Sequence, residues 1–481
     1  MATIILGTQW GNEGKGTESP CDPSRFFVSW RELTLGVTTG KLADLLINED
    51  NFQLCARAGE WADPQAGLNA SVLILMYPKQ RAEYVLHILP ETVSNAGTKH
   101  VLMQSLRIST MPGIRKSFAP VALAPAQCRS TLSGKWIPSF FKELETLEAK
   151  GLSGVRDRIL VSDRCHVNLD LHAAVDGLEE IELGERQIST TGRGIGPAYS
   201  TKAARSGIRV HDIFDQEAFE SKLRTLAEGY RKRFGDLLNY DVDDEIQRFR
   251  QYRPKLAEFC VDAVHLILNM QKHNAKILVE GANALMLDID YGTYPSSRFG
   301  RWSSDEADDQ TNPSSSVKTT RVGEGIFKTE DHGEIGAKLQ TIGREWGAST
   351  ERKRRCGWID LVVLKYSIAI NDYTYLNLSK LDVLDTFPVI KLAVAYKDPE
   401  TGMALENFPA DLNILERCEV VYHEMEGWQQ PITHIRTFDA LPEQAKAYVR
   451  LIEQHCGVPV IWISTGPGRE DMIRRPLPAH I

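Results

Sequence analysis

The chain has 481 residues, of which 42% are hydrophobic and 25% charged, a balance that excludes disordered and fibrous classes and fits a globular protein with a sizeable core. Its formal charge of −8 excludes a global basic field for nucleic acid or anionic lipid, so any polyanion must be met by local groups. No apolar run reaches the about 18 residues that span a bilayer, and the start Met1-Ala2-Thr3-Ile4-Ile5-Leu6-Gly7 lacks the profile of a secretory signal, so a cytoplasmic location without membrane or nucleic-acid partners is expected.

Thr3-Ile4-Ile5-Leu6 is a short β-branched run that predicts a strand, and it leads into a glycine-rich loop, Gly7 to Gly16. Glycines let backbone amides turn inward around a phosphate, and Lys15 adds a point charge, so the loop is P-loop-like. Its spacing departs from GxxxxGK[ST], because Gln9 stands where the first glycine would be. Three stretches lack helical or strand periodicity and read as irregular: 17–40, 58–136 and the Ser/Asp-rich 296–316. Ser139 predicts the cap of a helix carrying Phe140, Phe141, Leu144 and Leu147, which Gly151 would stop. The run Ser189-Thr190-Thr191-Gly192-Arg193-Gly194-Ile195-Gly196-Pro197 is a second glycine loop suited to an anion. A further helix is predicted near Asp215, and another over Ile246 to Val264, interrupted at Pro254. Strands are predicted at Lys276–Val279, Leu361–Leu364 and Val458–Ile463. Strands alternating with helices predict one large α/β domain, 1–481, with a mainly parallel sheet and sites at strand C-termini.

Two polar clusters stand out. Arg352-Lys353-Arg354-Arg355 places four cations together, either a solvated turn or a clamp for phosphate and carboxylate. In Ser379-Lys380-Leu381-Asp382, a carboxylate can accept the ring and exocyclic amino protons of guanine while a lysine stem packs on the base, against the plainer reading of a solvated strand end. Eight cysteines without a Cys-x-x-Cys pair argue against zinc and disulfides, so a metal would sit on oxygen ligands.

Taken in order, the N-terminal Glu13-Gly14-Lys15-Gly16, Thr190 to Pro197, Val279-Glu280-Gly281-Ala282-Asn283, Leu287 to Pro295, Thr320 to Gly325, Arg352 to Trp358, Lys380-Leu381-Asp382 and Ser464-Thr465-Gly466-Pro467 resemble the adenylosuccinate synthetases, the fungal form most. The resemblance implies a carbon–nitrogen ligase of purine biosynthesis. It would condense IMP with L-aspartate using GTP and Mg²⁺, giving adenylosuccinate, the first committed step from IMP to AMP, as a cytoplasmic homodimer. By matched position it implies GTP contacts at Gly11, Asn12, Glu13, Gly14, Lys15, Gly16, Lys41, Arg354, Lys380, Leu381, Asp382, Ser464, Thr465 and Gly466. It implies IMP contacts at Thr191, Arg205, Asn283 and Arg352, with Arg205 reaching across a dimer interface. The loop that closes on aspartate matches Ala348, Ser349, Thr350, Glu351, Arg352, Lys353 and Arg354, with Glu351 where the family usually has glycine.

Several positions depart from the pattern. The family's aspartate, both general base and magnesium ligand, is Asn12 here, a neutral amide that cannot take up the proton and gives a hard cation no charge. After Cys55-Ala56-Arg57 the segment that would carry the general-acid histidine reads Ala58-Gly59-Glu60-Trp61, and no histidine is assigned to that role. Excising 17–40 joins Gly16 to Lys41 and restores Gly-Lys-Gly-Lys, so 17–40, part of 58–136 and 296–316 read as foreign sequence set into a synthetase gene. A second reading is a catalytically impaired guanine-nucleotide-binding pseudoenzyme or regulatory dimer partner, which an intact Lys380-Leu381-Asp382 and a lost acid and base would both permit.

Overall fold

The computed structural model describes residues 2–7, 54–58, 73–76, 136–149, 156–157, 159–184, 192–273, 277–294, 311–316, 318–321, 325–346, 353–405, 407–468 and 471–476. In chain order its elements begin with β1 (Ala2–Gly7), β2 (Leu54–Ala58), β3 (Leu73–Met76), α1 (Trp136–Ala149), β4 (Ile159–Ser162), α2 (Asp170–Leu183) and α3 (Ile195–Ala203). They continue with α4 (Gln216–Phe234), α5 (Val242–Ala257), β5 (Cys260–Val261), α6 (Ala263–Lys272), β6 (Ile277–Ala284), β7 (Thr311–Ser316), β8 (Lys318–Arg321), α7 (Glu334–Ile342) and β9 (Arg355–Asp360). The last are α8 (Leu361–Asn371), β10 (Leu376–Ser379), β11 (Val389–Lys397), α9 (Leu412–Arg417), β12 (Glu419–Glu426), α10 (Glu443–Cys456), β13 (Val460–Ser464) and β14 (Met472–Arg474). The class is α/β, as the alternation of strand and helix patterns predicts. Contacts gather in two compact units, the first mostly Leu46–Ala282, the second mostly Asn283–Ile481 with Thr3–Phe27.

In the first unit the strands lie in the order β6-β2-β3-β4-β5. The β2–β6 and β4–β5 pairs are parallel, whereas β3 is antiparallel to both its neighbours. The helices bury an aromatic cluster: Phe140 meets Phe259 edge-on at 5.2 Å between centroids, and Phe141 stacks on Tyr252 at 5.4 Å. Helix α4 starts where Asp215 predicts, because the Asp215 carboxylate accepts a hydrogen bond from the Ala218 amide at 3.0 Å. It packs on α5 through Phe219 and Phe249, 4.7 Å apart.

In the second unit the order is β14-β13-β10-β7-β1, with β13, β10, β7 and β1 mutually parallel and β14 antiparallel at the edge. A four-stranded sheet, β12-β11-β9-β8, is mixed. A core of Met286, Leu287, Phe327, Val363, Tyr396, Phe408, Leu415 and Cys418 fills this unit.

Four local expectations change. Leu361–Leu364 is the first turn of α8 rather than a strand; a four-residue apolar run fits either, and the Asp360 carboxylate decides by accepting the Val362 and Val363 amides at 3.1 and 3.2 Å. Helix α5 runs through Pro254 to Ala257, with buried Leu256 anchoring its last turn. Helix α1 begins at Trp136, so Ser139 lies inside its first turns instead of capping it. Finally, the segments read as irregular contribute strands: β3 falls within 58–136 and β7 within 296–316. A proline and polar residues disguised β7, Thr311-Asn312-Pro313-Ser314-Ser315-Ser316, which nonetheless pairs on both sides. Residues 17–40 lie outside the described residues.

Candidate functional site

The parallel strands of the second unit end at one edge of their sheet. Gly7 of β1 pairs with Ser314 of β7, Ser379 of β10 with Ser316, and Leu378 with Ile463 of β13, one residue before Ser464. Each of β1, β10 and β13 therefore hands over, at the same edge, to a loop that the sequence marks as chemical: Gly7 to Gly16, Ser379 to Asp382, and Ser464 to Gly466. Carboxyl ends of parallel strands are where open α/β sheets bind ligands.

At the end of β10 the chain turns abruptly. Lys380 adopts a left-handed conformation, φ 64°, which a residue with a side chain occupies only when its surroundings hold it there. Leu381 is fully buried, a single 3-10 turn spans Leu381–Leu384, and Asp382 is left half-buried. The Lys380 ammonium runs inward, donates to the Gly343 carbonyl at 3.0 Å, and is hydrogen-bonded to the carboxylate of Glu345.

Glu345 is the centre of this cluster. It is wholly buried, and besides Lys380 its carboxylate accepts from Lys318 Nζ at 2.8 Å and from Arg354 Nη1 at 3.3 Å. Burial alone would raise its pKa, but the charges of Lys318, Lys380 and Arg354 outweigh that and hold the carboxyl well below the usual range. Lys380 is lowered, chiefly by burial, with Glu345 opposing. Lys318, also fully buried, donates to Thr320 Oγ1 at 2.7 Å. Removing one partner of such a buried ion pair costs about 3–5 kcal/mol, because the other charge is stranded. The remaining basic residues separate: Lys353 is exposed and bridges to Trp346 through the backbone, whereas Arg355 pairs with Glu330 and donates to the Gly325 carbonyl at 2.7 Å. The three described cations of the run, Lys353, Arg354 and Arg355, thus go to separate places.

The loop after β13 is braced from beneath. Ser464 Oγ donates to the Gly466 carbonyl at 3.1 Å and Thr465 Oγ1 to the Ile435 carbonyl at 3.1 Å. Asp471 accepts from the Gly468 amide at 2.6 Å and from Arg436 at 2.6 Å, while its own carbonyl takes the Thr465 amide at 3.0 Å. Gly466 has no room for a side chain: a Cβ would stand 2.5 Å from Thr433 Cγ2 and 2.6 Å from Asp471 Oδ2.

In the first unit the second glycine loop is fixed by side chains on and before α2. Asn168 Nδ2 donates to the Arg193 carbonyl at 2.8 Å, and the Gly194 amide donates to Asp176 Oδ2 at 2.9 Å. Gly194 is left-handed, φ 80°, and a Cβ there would lie 2.4 Å from the Ala173 nitrogen. His172 is fully buried; its Nδ1 accepts the Leu169 amide at 3.1 Å, so its proton sits on Nε2, 3.3 Å from Thr201 Oγ1. Burial first, and the nearby His166 second, lower its pKa to about 3, which keeps the ring neutral. Two residues past α3, Arg205 is exposed and left-handed, φ 63°.

Of the residues the sequence singles out, the structure gathers Arg354 and Lys380 on Glu345 and sets Ser464-Thr465-Gly466 beside Ser379-Lys380. Gly11, Asn12, Glu13, Gly14, Lys15, Gly16, Lys41, Thr191, Ala348, Ser349, Thr350, Glu351 and Arg352 lie outside the described residues. The backbone of Asn283 lies in β6, parallel to β2. Glu345, Asp471, Asp176 and His172 escaped sequence reasoning. Only Glu345 left a signal there, a carboxylate shortly before a run of cations. Among the described residues no group of three acidic, histidine or cysteine side chains is placed to hold a metal ion, and no helix is long and apolar enough to cross a membrane.

A family model described as adenylosuccinate synthetase matches residues 135–473. An adenylosuccinate synthetase of Pyricularia oryzae is 55% identical over 99% of this chain and 100% of its own length. One of Neurospora crassa is 52% identical over 99% and 98%. Among solved structures, a fully ligated adenylosuccinate synthetase of Plasmodium falciparum is 31% identical and superposes with a TM-score of 0.73, covering 98% of this chain and 99% of its own.

Proposed function

The chain belongs to the adenylosuccinate synthetase family, and on that premise we propose that it condenses IMP with L-aspartate using GTP, releasing adenylosuccinate, GDP and phosphate. The observation that carries the guanine site is the shared sheet edge. There β1 leads toward the Gly11 to Gly16 loop, β10 delivers Lys380-Leu381-Asp382, and β13 delivers Ser464-Thr465-Gly466. In this reading Asp382 accepts the two guanine protons, Lys380 lies along the base, and the Gly11–Gly16 amides with Lys15 and Lys41 cradle the phosphates. Thr191, Arg205, Asn283 and Arg352 hold IMP. Ala348, Ser349, Thr350, Glu351, Arg352, Lys353 and Arg354 line the aspartate side.

The chemistry needs the proton of the purine ring nitrogen removed so that the 6-oxygen can attack the γ-phosphorus and expel GDP. The aspartate amine then displaces phosphate from the 6-position. The protein's part is to align the two nucleotides in line and to stabilise charge on the transferring phosphoryl group, work for cations such as Lys15 and Arg354. A magnesium ion, when bound, supplies further charge on the phosphate oxygens. Its proposed position includes Asn12, whose donor is an uncharged amide, so the residue fits neither base nor ligand well and no step is assigned to it. We also place the enzyme in the cytoplasm as a homodimer.

The test is aspartate- and GTP-dependent formation of adenylosuccinate from IMP by the purified chain, alongside calorimetric titration with GTP. Product above the no-aspartate background supports the ligase. GTP binding without product would leave the pseudoenzyme, and neither binding nor product would overturn the nucleotide site.

A further inference from the structure

We infer that Glu345 is a positioning residue of the guanine-nucleotide site, a buried anion that holds Lys380 and Arg354 in the places from which they meet the nucleotide. This deepens the proposed function and rests on its assignment of those two side chains to GTP.

The two cations come from distant parts of the sequence, Lys380 from the end of β10 and Arg354 from the residue before β9, and one carboxylate receives both. Glu345 itself has little freedom. Its amide donates to the Gln340 carbonyl at 2.9 Å, and its carbonyl accepts from Gln340 Nε2 at 2.8 Å and from the Arg354 amide at 3.0 Å. Main chain and side chain of Glu345 therefore both grip Arg354, so the carboxylate is a fixed point rather than a mobile counter-ion. The left-handed turn at Lys380 is the corresponding constraint on the other partner: it directs the ammonium inward to Glu345 and the Gly343 carbonyl while the chain continues to Asp382.

Three buried or nearly buried cations, Lys318, Lys380 and Arg354, reach the one carboxylate, and two of them are residues that the proposed function gives to GTP. Lys318 has no assigned contact with substrate and lies within β8, which makes it the control.

Glu345→Gln alone strands the cations and threatens folding, so the test pairs it with Lys318→Met, which removes one positive charge together with the negative one and leaves the cluster's net charge as it was. Circular dichroism and a cooperative thermal melt establish the fold of the double variant. Expected are a rise of about tenfold or more in the KM for GTP and the Kd for GDP, the loss of charge-assisted hydrogen bonding, with the KM for IMP within about twofold. Lys318→Met alone should leave both nucleotides within about twofold, and Glu345→Asp, which keeps the charge, should recover most of the GTP affinity. A folded double variant with wild-type GDP affinity overturns the inference while leaving the ligase intact, and so does an equal loss of IMP and GTP affinity. If the double variant does not fold, Glu345→Asp decides: its shorter reach should still leave the KM for GTP raised by about threefold with the KM for IMP unchanged, and a wild-type KM for GTP overturns the inference. Wild-type protein that binds no GDP overturns the underlying reading and this inference with it.

Discussion

Asn12 differs from a carboxylate by one heavy atom, yet that atom removes both the basicity and the charge that the proposed role of this position, base and magnesium ligand, would require. A well-placed general base is worth about 10²–10⁴-fold in rate, so Asn12→Asp should raise kcat by that order and lower the magnesium concentration needed for half-maximal rate. Steady-state kinetics decide, and an unchanged kcat would mean another group already takes the proton. Gly466 is a second single-residue constraint. Alanine there must displace Thr433 or Asp471, an overpacking that costs about 1–3 kcal/mol, and since Asp471 also braces the Thr465 and Gly468 amides, Gly466→Ala should weaken GDP binding in calorimetry more than it lowers the melting temperature. The sequence displayed Gly466 through its motif but not the reason for it, because Thr433 and Asp471 approach only in the folded chain. Glu345 was only faintly visible: it stands shortly before the run of cations that holds Arg354, but its other partners, Lys318 and Lys380, are distant along the chain.

Elements with a strong local signal were legible. The β-branched run of β1, the apolar runs of β6 and β13, and the Asp215 cap of α4 all stand where their residues predict. Those that depend on neighbours were not: α8 is selected by the Asp360 cap over an equally plausible strand, and β7 is a strand because β1 and β10 flank it. Helices α2 and α3 yield a pH prediction of the same kind. His172 is neutral in the folded chain down to about pH 3, whereas the unfolded chain takes up a proton near pH 6.5. Below that value the unfolded state binds more protons, so acid favours unfolding, with about 1.4 kcal/mol lost per pH unit and about 2 kcal/mol lost by pH 5. His166, lowered to about 4 by burial first and by Lys202 and Arg209 next, acts in the same direction. His172→Gln should lower stability at pH 7.5, since the Leu169 amide and Thr201 hydroxyl lose a shaped partner, yet flatten the decline toward pH 5. Urea unfolding at both pH values measures the difference, and an unaltered slope would show that His172 is not the acid-sensitive group.

At the scale of the whole molecule, a net charge of −8 and three or more anionic ligands are reconciled by spending cations locally. In the proposed homodimer, Arg205 is the residue proposed to carry that local supply beyond one chain. Its position past the end of α3, exposed and in a left-handed turn, is unlike that of Arg354 and Lys380, which are drawn into their own fold. If Arg205 serves IMP bound to a second copy, IMP affinity depends on protein concentration and GTP affinity does not. Diluting the wild-type enzyme through its dimer dissociation range, located by sedimentation, should raise the KM for IMP by about 10–100-fold, the worth of a charged hydrogen-bonded contact. Arg205→Ala should show that raised KM at every concentration, with unchanged sedimentation and no further effect of dilution. An IMP affinity that ignores dilution in the wild type while falling in the variant would return Arg205 to its own subunit's site, and one that ignores both would remove it from the IMP contacts.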